Sequence, residues 1–333
     1  MLKQPFETVK SILTAKELVD LAFSSASKVS VPRIRRNIVW VRKKERQRIR
    51  VVEATITSKL NNITRKMPRV EDLHPFYLDL VDVLVGVQNL KKSLAALNWA
   101  VKRIQSFSTS YSRRLSRAET ISEASRLRRE AYGRIASVLK QVSQNLDFLK
   151  EAGGKLAKLP SIGTDLNTII VSGYANVGKS TLVKQISSAK PEIATYPFTT
   201  KKIVIGHRDI LGRKCQVIDT PGLLDRPLSK RNKMELQAII AMRHLASVIV
   251  FVFDPSETCG YPLNSQTNLF KEILHQFKEV PVVKVLNKVD LASEKQLASA
   301  RDALGGDVIE VSALKNMGVE DVFRKALDLS LTR

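Results

Sequence analysis

"GYANVGKS", residues 173–180, follows a short apolar run and opens a segment of helical periodicity. Glycines and a Lys-Ser pair at this spacing, between a strand and a helix, are typical of a phosphate-binding loop. Backbone N–H groups at the start of such a helix wrap a phosphate, because unpaired amides and the helix dipole favour an anion. A chance glycine-rich turn is the alternative, and the strand and helix around the motif disfavour it. The stretch therefore predicts an α/β domain that binds a nucleotide phosphate.

The positions of this loop have different expected roles. Gly173 and Gly178 permit the tight turn, and Lys179 supplies a positive charge to the β- and γ-phosphates. Ser180 places its hydroxyl on Mg²⁺. The other residues expected to contact the nucleotide here are Tyr174, Ala175, Asn176, Val177 and Thr181.

Short β-rich runs alternate with amphipathic stretches of helical length over the second half of the chain. The runs begin at residues 168, 202, 215, 248, 280 and 308. This alternation predicts a mostly parallel six-stranded sheet with helices on both faces. The glycines and proline of residues 151–165 interrupt the preceding helical pattern, so we expect an α/β domain over residues 156–333 and a separate domain over residues 1–155.

The motif predicted to select the base of the nucleotide is "NKVD", residues 287–290, which follows a predicted strand. The Asp290 carboxylate can accept hydrogen bonds from guanine N1–H and from the exocyclic amine, a donor pair that adenine lacks. Asn287 is expected to brace neighbouring loops, and the stem of Lys288 is expected to cover the base. Taken singly, the motif could be an ordinary polar turn.

A second base motif, "VSALK" at residues 311–315, ends the next predicted strand. Here the Ala313 amide can donate to guanine O6, with Ser312 and Leu314 beside it. Serine followed by alanine is common in proteins, but the order of the motifs after a phosphate loop makes chance agreement improbable. Together the motifs predict a P-loop GTPase domain that binds GTP and GDP with Mg²⁺.

The metal and the γ-phosphate are assigned to two further segments. In "DTPGLLD", residues 219–225, Asp219 ends an apolar strand and is expected to hold Mg²⁺ through water, while the Gly222 amide contacts the γ-phosphate. In "TYPFTTKK", residues 195–202, one threonine is expected to close on Mg²⁺. Thr200 is favoured and Thr199 is the alternative.

Several of these stretches resemble a known family. "YPFTT" and "DTPGLLDRP" resemble the Obg branch of the translation-factor-related GTPases. "LAKLPSIG", "DTPGLLDRPLSKRNKMELQAI" and "FDPSETCGY" are similar to the nucleolar GTP-binding protein 1 family of large-ribosomal-subunit assembly factors. The resemblance is strongest over residues 156–290. Eukaryotic members continue beyond the GTPase domain whereas this chain stops soon after its last predicted helix, so a short archaeal-type member is expected.

Membership of this family implies GTP and Mg²⁺ binding, slow intrinsic hydrolysis and association with pre-ribosomal RNA. Asn176 matches the asparagine that helps to hold a monovalent cation in potassium-stimulated GTPases of this class. The resemblance therefore implies a K⁺ ion near the β- and γ-phosphates. Catalytic roles are assigned to Asn176, Lys179, Thr200 and Gly222.

The position that often carries a water-orienting glutamine holds Leu223 in this chain. Because a leucine cannot orient water by hydrogen bonding, three explanations remain. The K⁺ ion near Asn176 can stabilise the developing charge. RNA or a protein partner can supply the missing group, or hydrolysis can be vestigial. The segment 223–237 is expected to report the nucleotide state to a partner, with a solvated helix face as the alternative.

The first domain is predicted to be an all-α bundle, because residues 5–150 contain few glycines and repeat apolar residues at spacings of three and four. It carries most of the net charge of +23, and the stretch Arg33–Arg50 has one acidic residue. Such a surface favours ribosomal RNA. A solvated charged face and a membrane-surface helix are the alternatives. Trp40 and Trp99 are interpreted as packing residues of the core or between domains.

Composition limits the remaining possibilities. The start of the chain lacks a signal-peptide pattern and no run is long enough to cross a bilayer, so a cytoplasmic location is expected, or a nucleolar one in a eukaryote. Cys215 and Cys259 have no metal-ligand spacing and are interpreted as free thiols. The sequence as a whole predicts a GTPase switch, monomeric when free, that binds rRNA and the large ribosomal subunit or its precursor, with other assembly factors as further partners. An RNA-bound placeholder that hardly hydrolyses GTP and an Obg-like translation or stress regulator are the competing functions.

Overall fold

The computed structural model describes residues 4–9, 11–32, 37–188, 191–197, 202–210, 213–227 and 231–331. Its contacts divide the chain into two compact units. The bundle unit comprises Pro5–Asp72 and Leu84–Ala157, and the sheet unit comprises mainly Leu73–Val83 and Lys158–Arg333. Within the described residues, no helix is both long and apolar enough to cross a membrane.

Six α-helices occupy the first half of the described chain: α1 (Ala15–Ser27), α2 (Ile38–Lys66), α3 (Pro75–Val85), α4 (Val87–Arg117), α5 (Ile121–Gln141) and α6 (Ser143–Leu156). Side-chain caps start three of them, because Thr14, Asn37 and Thr120 each accept a hydrogen bond from a backbone N–H of the first turn. The predicted helical half is therefore confirmed.

The core of the bundle unit follows the heptad-like spacing of its two longest helices. Ile49, Ile56 and Leu60 of α2 are fully buried, as are Leu90 and Leu97 of α4. Residues three, four or seven apart share one helix face, so the two apolar stripes can pack against each other. Burial of these stripes, rather than helix propensity alone, stabilises helices of this length.

Part of the basic sequence serves this packing. The Glu45 side chain is only 8% exposed and accepts from Arg128 at 2.8 Å and from Arg48 at 3.4 Å. Arg42 donates through Nε to the Ala118 carbonyl at 2.7 Å, just past the end of α4. These arginines stabilise the bundle internally, so they contribute less to an outer polyanion surface than the sequence suggested.

The two tryptophans differ in burial. Trp40 is partly buried against the core, and its indole N–H donates to the Val31 carbonyl at 3.2 Å. Trp99 is 46% exposed. The expectation of core packing is wrong for Trp99, because its side chain is exposed on α4, while packing between domains stays a prediction.

The described part of the sheet unit contains seven strands: β1 (Asn167–Ser172), β2 (Glu192–Ala194), β3 (Ile203–Ile210), β4 (Arg213–Asp219), β5 (Ala246–Phe253), β6 (Val282–Leu286) and β7 (Val308–Glu310). Their order is β2-β3-β4-β1-β5-β6-β7, with antiparallel pairs between β2 and β3 and between β3 and β4 and parallel pairs elsewhere. The helices are α7 (Lys179–Ile186), α8 (Lys233–Ala241), α9 (Leu263–Gln276), α10 (Glu294–Leu304) and α11 (Val319–Leu331).

The predicted fold class is confirmed, with one strand more than expected. Strand β2 is a three-residue edge strand whose residues are at least partly exposed. Such a strand has no apolar alternation long enough to recognise in sequence. Cys215 and Cys259 are buried free thiols, as expected.

Helix α3 belongs to the sheet unit although it lies within the first 155 residues. The buried Tyr77 hydroxyl donates to the Pro160 carbonyl at 3.0 Å and accepts from the Ile162 N–H at 3.1 Å. Asp79 lies 3.0 Å from the His244 ring. The division at residue 155 therefore does not follow the contacts of this segment, because periodicity reveals a helix but not the core that it joins.

We expect Tyr77→Phe to lower the free energy of unfolding of the sheet unit by about 1–3 kcal/mol, because it leaves buried groups at Pro160 and Ile162 without their partner. Urea unfolding, with hydrogen exchange to locate the effect, measures the change. The matched control is Tyr111→Phe in the bundle unit, which keeps the aromatic ring beneath Arg114. Faster exchange in bundle peptides rather than sheet peptides would contradict the assignment of α3.

Candidate functional site

The candidate site lies at the carboxyl ends of the parallel strands. Register pairs Val171 with Asp219, Ser172 with Phe251, and Phe253 with Leu286, so β1, β4, β5 and β6 end at one edge. The order of the strands reverses beside β1, and ligands of open α/β sheets bind at such a point. The phosphate loop begins after β1, "DTPGLLD" begins at the last residue of β4, and "NKVD" begins after β6.

A cavity of about 530 Å³ opens at this edge. That volume lies within the usual range for small-molecule sites, about 300–1,000 Å³. Twelve of the predicted residues line it, and Pro221, Asp225 and Leu291 complete the lining. The twelve are Ala175, Asn176, Gly178, Lys179, Ser180, Thr181, Asn287, Lys288, Asp290, Ser312, Ala313 and Leu314.

A larger cavity, of about 930 Å³, lies at the amino ends of β1 and β5. Its polar lining includes Asp165, Arg243 and His275. The phosphate and base motifs meet at the smaller cavity, and the chemistry of those motifs, not cavity size, identifies the candidate site.

Two glycines of the phosphate loop are required by close approach. Gly173 has φ +134°, and a Cβ there would lie 2.4 Å from the Val252 carbonyl oxygen. Gly178 has φ +100°, and its Cβ would lie 2.2 Å from Asn287 Nδ2. Because both backbones are left-handed and both spaces are filled, no other residue fits either position. Asn176 also has a positive φ, of 63°.

The remaining loop residues hold its shape. Lys179 is 6% exposed, and its ammonium donates to the Gly173 carbonyl at 2.8 Å and the Tyr174 carbonyl at 2.6 Å. The Tyr174 ring stacks on Tyr261 with centroids 4.2 Å apart, and Val177 is fully buried. Tyr174 and Val177 therefore shape the loop from outside the cavity. Lys179 places a buried positive charge where the phosphate loop lines the cavity.

Ser180 and Asp219 form the candidate metal position. The Ser180 hydroxyl donates to Asp219 Oδ2, and Asp219 is fully buried. Burial raises the pKa of this carboxyl, against the lowering effect of the Ser180 hydrogen bond. Its Oδ1 is buried without a protein hydrogen-bond partner in the described part of the chain. A desolvated carboxylate oxygen beside a hydroxyl fits Mg²⁺, a hard cation that prefers oxygen ligands.

Other residues predicted to contact the metal or the γ-phosphate either lie outside the described residues or make a different hydrogen bond. Thr199 and Thr200 lie outside the described residues. The Gly222 amide, assigned to a γ-phosphate, donates instead to Asp225 Oδ2 at 2.7 Å. Leu223 is 1% exposed, so its side chain packs in the interior.

Asn287 joins the phosphate loop to the base loops. Its Nδ2 donates to the Val177 carbonyl at 2.7 Å, and its Oδ1 accepts from the Ala313 N–H at 2.9 Å. In this structure the Ala313 amide, which is predicted to donate to guanine O6, donates to Asn287 instead. Sequence spacing placed Ala313 at the right loop but did not reveal the competing acceptor.

Asp290 presents the carboxylate that the sequence predicts to select the base. Hydrogen bonding from Ser312 is the main reason that the pKa of Asp290 is lowered, and Lys315 Nζ lies 3.3 Å from its Oδ2. A lowered pKa keeps this carboxyl ionised near neutral pH. An ionised carboxylate accepts only, so it matches a ligand edge with two N–H donors.

Comparison with known proteins identifies the relationship. Residues 6–163 match the NOG1 N-terminal helical domain, and residues 233–290 match Nucleolar GTP-binding protein 1 (NOG1). An uncharacterised protein of Methanocaldococcus jannaschii is 40% identical over 296 residues, which are 88% of this chain and 83% of that protein. The chain belongs to the nucleolar GTP-binding protein 1 family. The resemblance noted in the sequence is confirmed.

Other relatives in the nucleolar GTP-binding protein 1 family are longer. The Encephalitozoon cuniculi protein is 34% identical over 99% of this chain, which spans 63% of its length. The Drosophila melanogaster protein is 31% identical over 98% of this chain, which spans 52% of its length. A Plasmodium falciparum crystal structure, described as a candidate member, is 35% identical over 52% of this chain, with a TM-score of 0.46.

In this nucleolar GTP-binding protein 1 family member, the sequence motifs do not include one residue that positions Lys288. Asp254 is fully buried and accepts from Lys288 Nζ at 2.7 Å and from the Cys259 N–H at 2.8 Å. Burial works to raise its pKa, but hydrogen bonds from Lys288 and Ser256 outweigh it and lower that pKa. Lys288 is thereby held beside the cavity. The available signal was an aspartate directly after the apolar run of β5.

We expect Asp219→Asn to raise the free energy of unfolding by about 1 kcal/mol at pH 7 in EDTA without nucleotide, the usual scale for relief of a strained functional site. The amide still accepts from Ser180 but avoids burying a charge. Burial raises the pKa of Asp219. The free-energy cost of burying its negative charge is therefore present above the folded-state pKa, and it disappears as acid protonates the carboxyl. The gain should therefore shrink on acidification.

Urea titrations of the wild type and Asp219→Asn across pH 4–8 measure this gain. Asp302→Asn, an exposed change of the same charge on α10, is the control and should show no such trend. A loss of stability at pH 7, or a gain that does not vary with pH, would contradict a desolvated carboxylate.

Proposed function

We propose that this chain binds GTP and GDP with Mg²⁺, hydrolyses GTP slowly, and acts as a nucleotide-dependent switch on the RNA of the large ribosomal subunit or its precursor. The observation that carries the proposal is the meeting of an ionised Asp290 carboxylate with a phosphate loop in one cavity, joined by Asn287. The names of the longer relatives, as nucleolar GTP-binding proteins, support the same base and a site of ribosome assembly.

The cavity supports guanine at one end and phosphate at the other. Asp290 and Ser312 lie at the base end, where Leu291 and Leu314 are 61% and 82% exposed and offer apolar surface to a ring. Lys179 lies at the phosphate end with the amides that open α7. A nucleotide is the ligand class that presents donors, a flat ring and phosphates in this order.

The residues present fit Mg²⁺. Ser180 and Asp219 would hold it, and Thr200, assigned from sequence, would add a third ligand. A bound Mg²⁺ neutralises charge on the β- and γ-phosphates. Lys179 would add its own charge once its ammonium exchanges loop carbonyls for phosphate oxygens. Asn176, lining the cavity, would help to hold K⁺.

Helix α4 supports RNA as the partner of the bundle unit. It contains no acidic residue, and its exposed basic residues are Lys91, Lys92, Lys102, Arg103, Arg113, Arg114 and Arg117. Several of these residues share one face with the exposed Trp99, since they lie three, four or seven positions apart. Residues 33–36 of the basic stretch singled out in the sequence lie outside the described residues. Phosphate contacts from such a face are strong at low salt and need no base code.

We expect Asp290→Asn to weaken GTP binding about 100-fold and to strengthen binding of xanthosine triphosphate. Guanine offers two donors to the carboxylate, whereas xanthine offers one donor and one carbonyl, which an amide matches. Fluorescence titration with labelled nucleotides measures both dissociation constants. Asp307→Asn, which makes the same charge change on an exposed residue, is the control. An equal loss for both nucleotides would contradict the assigned base contact.

We expect GTP hydrolysis to be at least about tenfold faster in potassium than in sodium buffer, because a bound cation stabilises charge developing in the transition state. Asn176→Gly should abolish the difference. Glycine is the suitable variant, since it tolerates the positive φ of Asn176 and removes only the side chain. Single-turnover release of phosphate measures the rate.

The same assay with purified large ribosomal subunits tests the partner. Stimulation by large subunits and co-sedimentation with them support the switch. Bound but unhydrolysed GTP under every condition favours an RNA-bound placeholder instead, in line with the burial of Leu223. Co-sedimentation with translating ribosomes rather than subunits favours an Obg-like regulator. A rate that is equal in potassium and sodium would refute the role of Asn176.

A further inference from the structure

The loop after β4 is closed on itself by a carboxylate that the proposed function has not used. The Gly222 N–H donates to Asp225 Oδ2 at 2.7 Å. Asp225 is 7% exposed and lines the same cavity as Lys179 and Ser180. The amide assigned by sequence to the γ-phosphate is thus bonded to an internal anion at the phosphate end of the cavity.

Arg231 fixes this arrangement from the other side. Its guanidinium donates to the Gly222 carbonyl and the Leu223 carbonyl, both at 2.6 Å, and lies 3.5 Å from Asp225 Oδ1. The Arg231 side chain is 1% exposed, so these bonds are shielded from water. Two charge-assisted bonds and one ion pair, made in a dry environment, favour a single conformation of the loop.

Charge makes this conformation sensitive to the nucleotide. Burial is the main cause of the raised pKa of Asp219, and the charge of Asp225 adds to it, which indicates that the two carboxylates feel each other. GTP would bring a further phosphate group to this end of the cavity, whereas GDP would not. Like charges repel strongly at short range in a partly desolvated site.

We infer that Asp225 competes with the γ-phosphate for the Gly222 amide and thereby lowers the affinity for GTP relative to GDP, with Arg231 as the positioning residue. The inference rests on the proposed function, since it requires both nucleotides to bind this cavity. GDP leaves the bond between Gly222 and Asp225 intact, and GTP has to break it. Because the bond between Gly222 and Asp225 is kept in the GDP-bound state and lost in the GTP-bound state, it favours GDP over GTP.

The test compares two dissociation constants in Mg²⁺ buffer, one for fluorescent GDP and one for a non-hydrolysable GTP analogue. In Asp225→Asn the ratio of the analogue constant to the GDP constant should fall about tenfold or more relative to wild type. Arg231→Lys should lower it in the same direction, because a lysine cannot bridge two carbonyls and a carboxylate. Asp302→Asn, with the same loss of charge at a distance, should leave it unchanged.

Circular dichroism first establishes that each variant is folded. An unchanged or increased ratio of the two dissociation constants in folded Asp225→Asn overturns the inference. If Asp225→Asn does not fold, an unchanged or increased ratio in Arg231→Lys overturns it instead. These results leave the proposed function standing, because wild-type binding of both nucleotides is measured separately. A wild type that binds neither nucleotide overturns the proposed function and this inference together.

Discussion

The candidate site depends on the side chain of Asn287. Its amide bonds the Val177 carbonyl on one side and the Ala313 N–H on the other, within a space where Gly178 can carry no Cβ. Three chain segments that are distant in sequence therefore meet at one buried group, which is 2% exposed. Loss of either bond would leave a buried polar group of the backbone unsatisfied, at a cost of about 1–3 kcal/mol. The phosphate end and the base end of the cavity are positioned together because they share this side chain.

Sequence patterns predicted the elements that local chemistry determines. A strand, a glycine-rich turn and a helix with a Lys-Ser start specify a phosphate loop wherever they occur, and parallel strands bring motifs at their ends to one edge. Partners across space were not predictable in the same way. The Ala313 amide, the Gly222 amide and the carboxylate of Asp254 each bond a group that spacing alone does not identify. For the same reason, the helical pattern of α3 did not reveal that it joins the sheet unit.

Polar groups assigned to a ligand are satisfied within the protein. Lys179 is bonded to two carbonyls of its own loop, and Gly222 is bonded to Asp225. A ligand phosphate would replace these bonds rather than add to a bare surface, so the net gain per contact is smaller than the gross interaction. Asp219 is the exception, since its Oδ1 has no protein partner among the described residues and its pKa is raised by burial. The strongest demand for an external group therefore falls at the proposed metal position.

Net charge alone would overstate the polyanion surface of the bundle unit. Glu45 forms ion pairs with Arg48 and Arg128, and Arg42 donates to a carbonyl beyond the end of α4. Part of the basic sequence therefore stabilises the bundle unit itself. Helix α4 differs because it has no acidic residue of its own, although Lys91 lies 2.5 Å from Glu71 and Arg114 lies 3.3 Å from Glu130. Its outer face also carries Trp99, an aromatic ring that the core does not require. A basic helix without acidic residues that also exposes an aromatic ring is a more specific argument for RNA than a charge of +23 distributed over the chain.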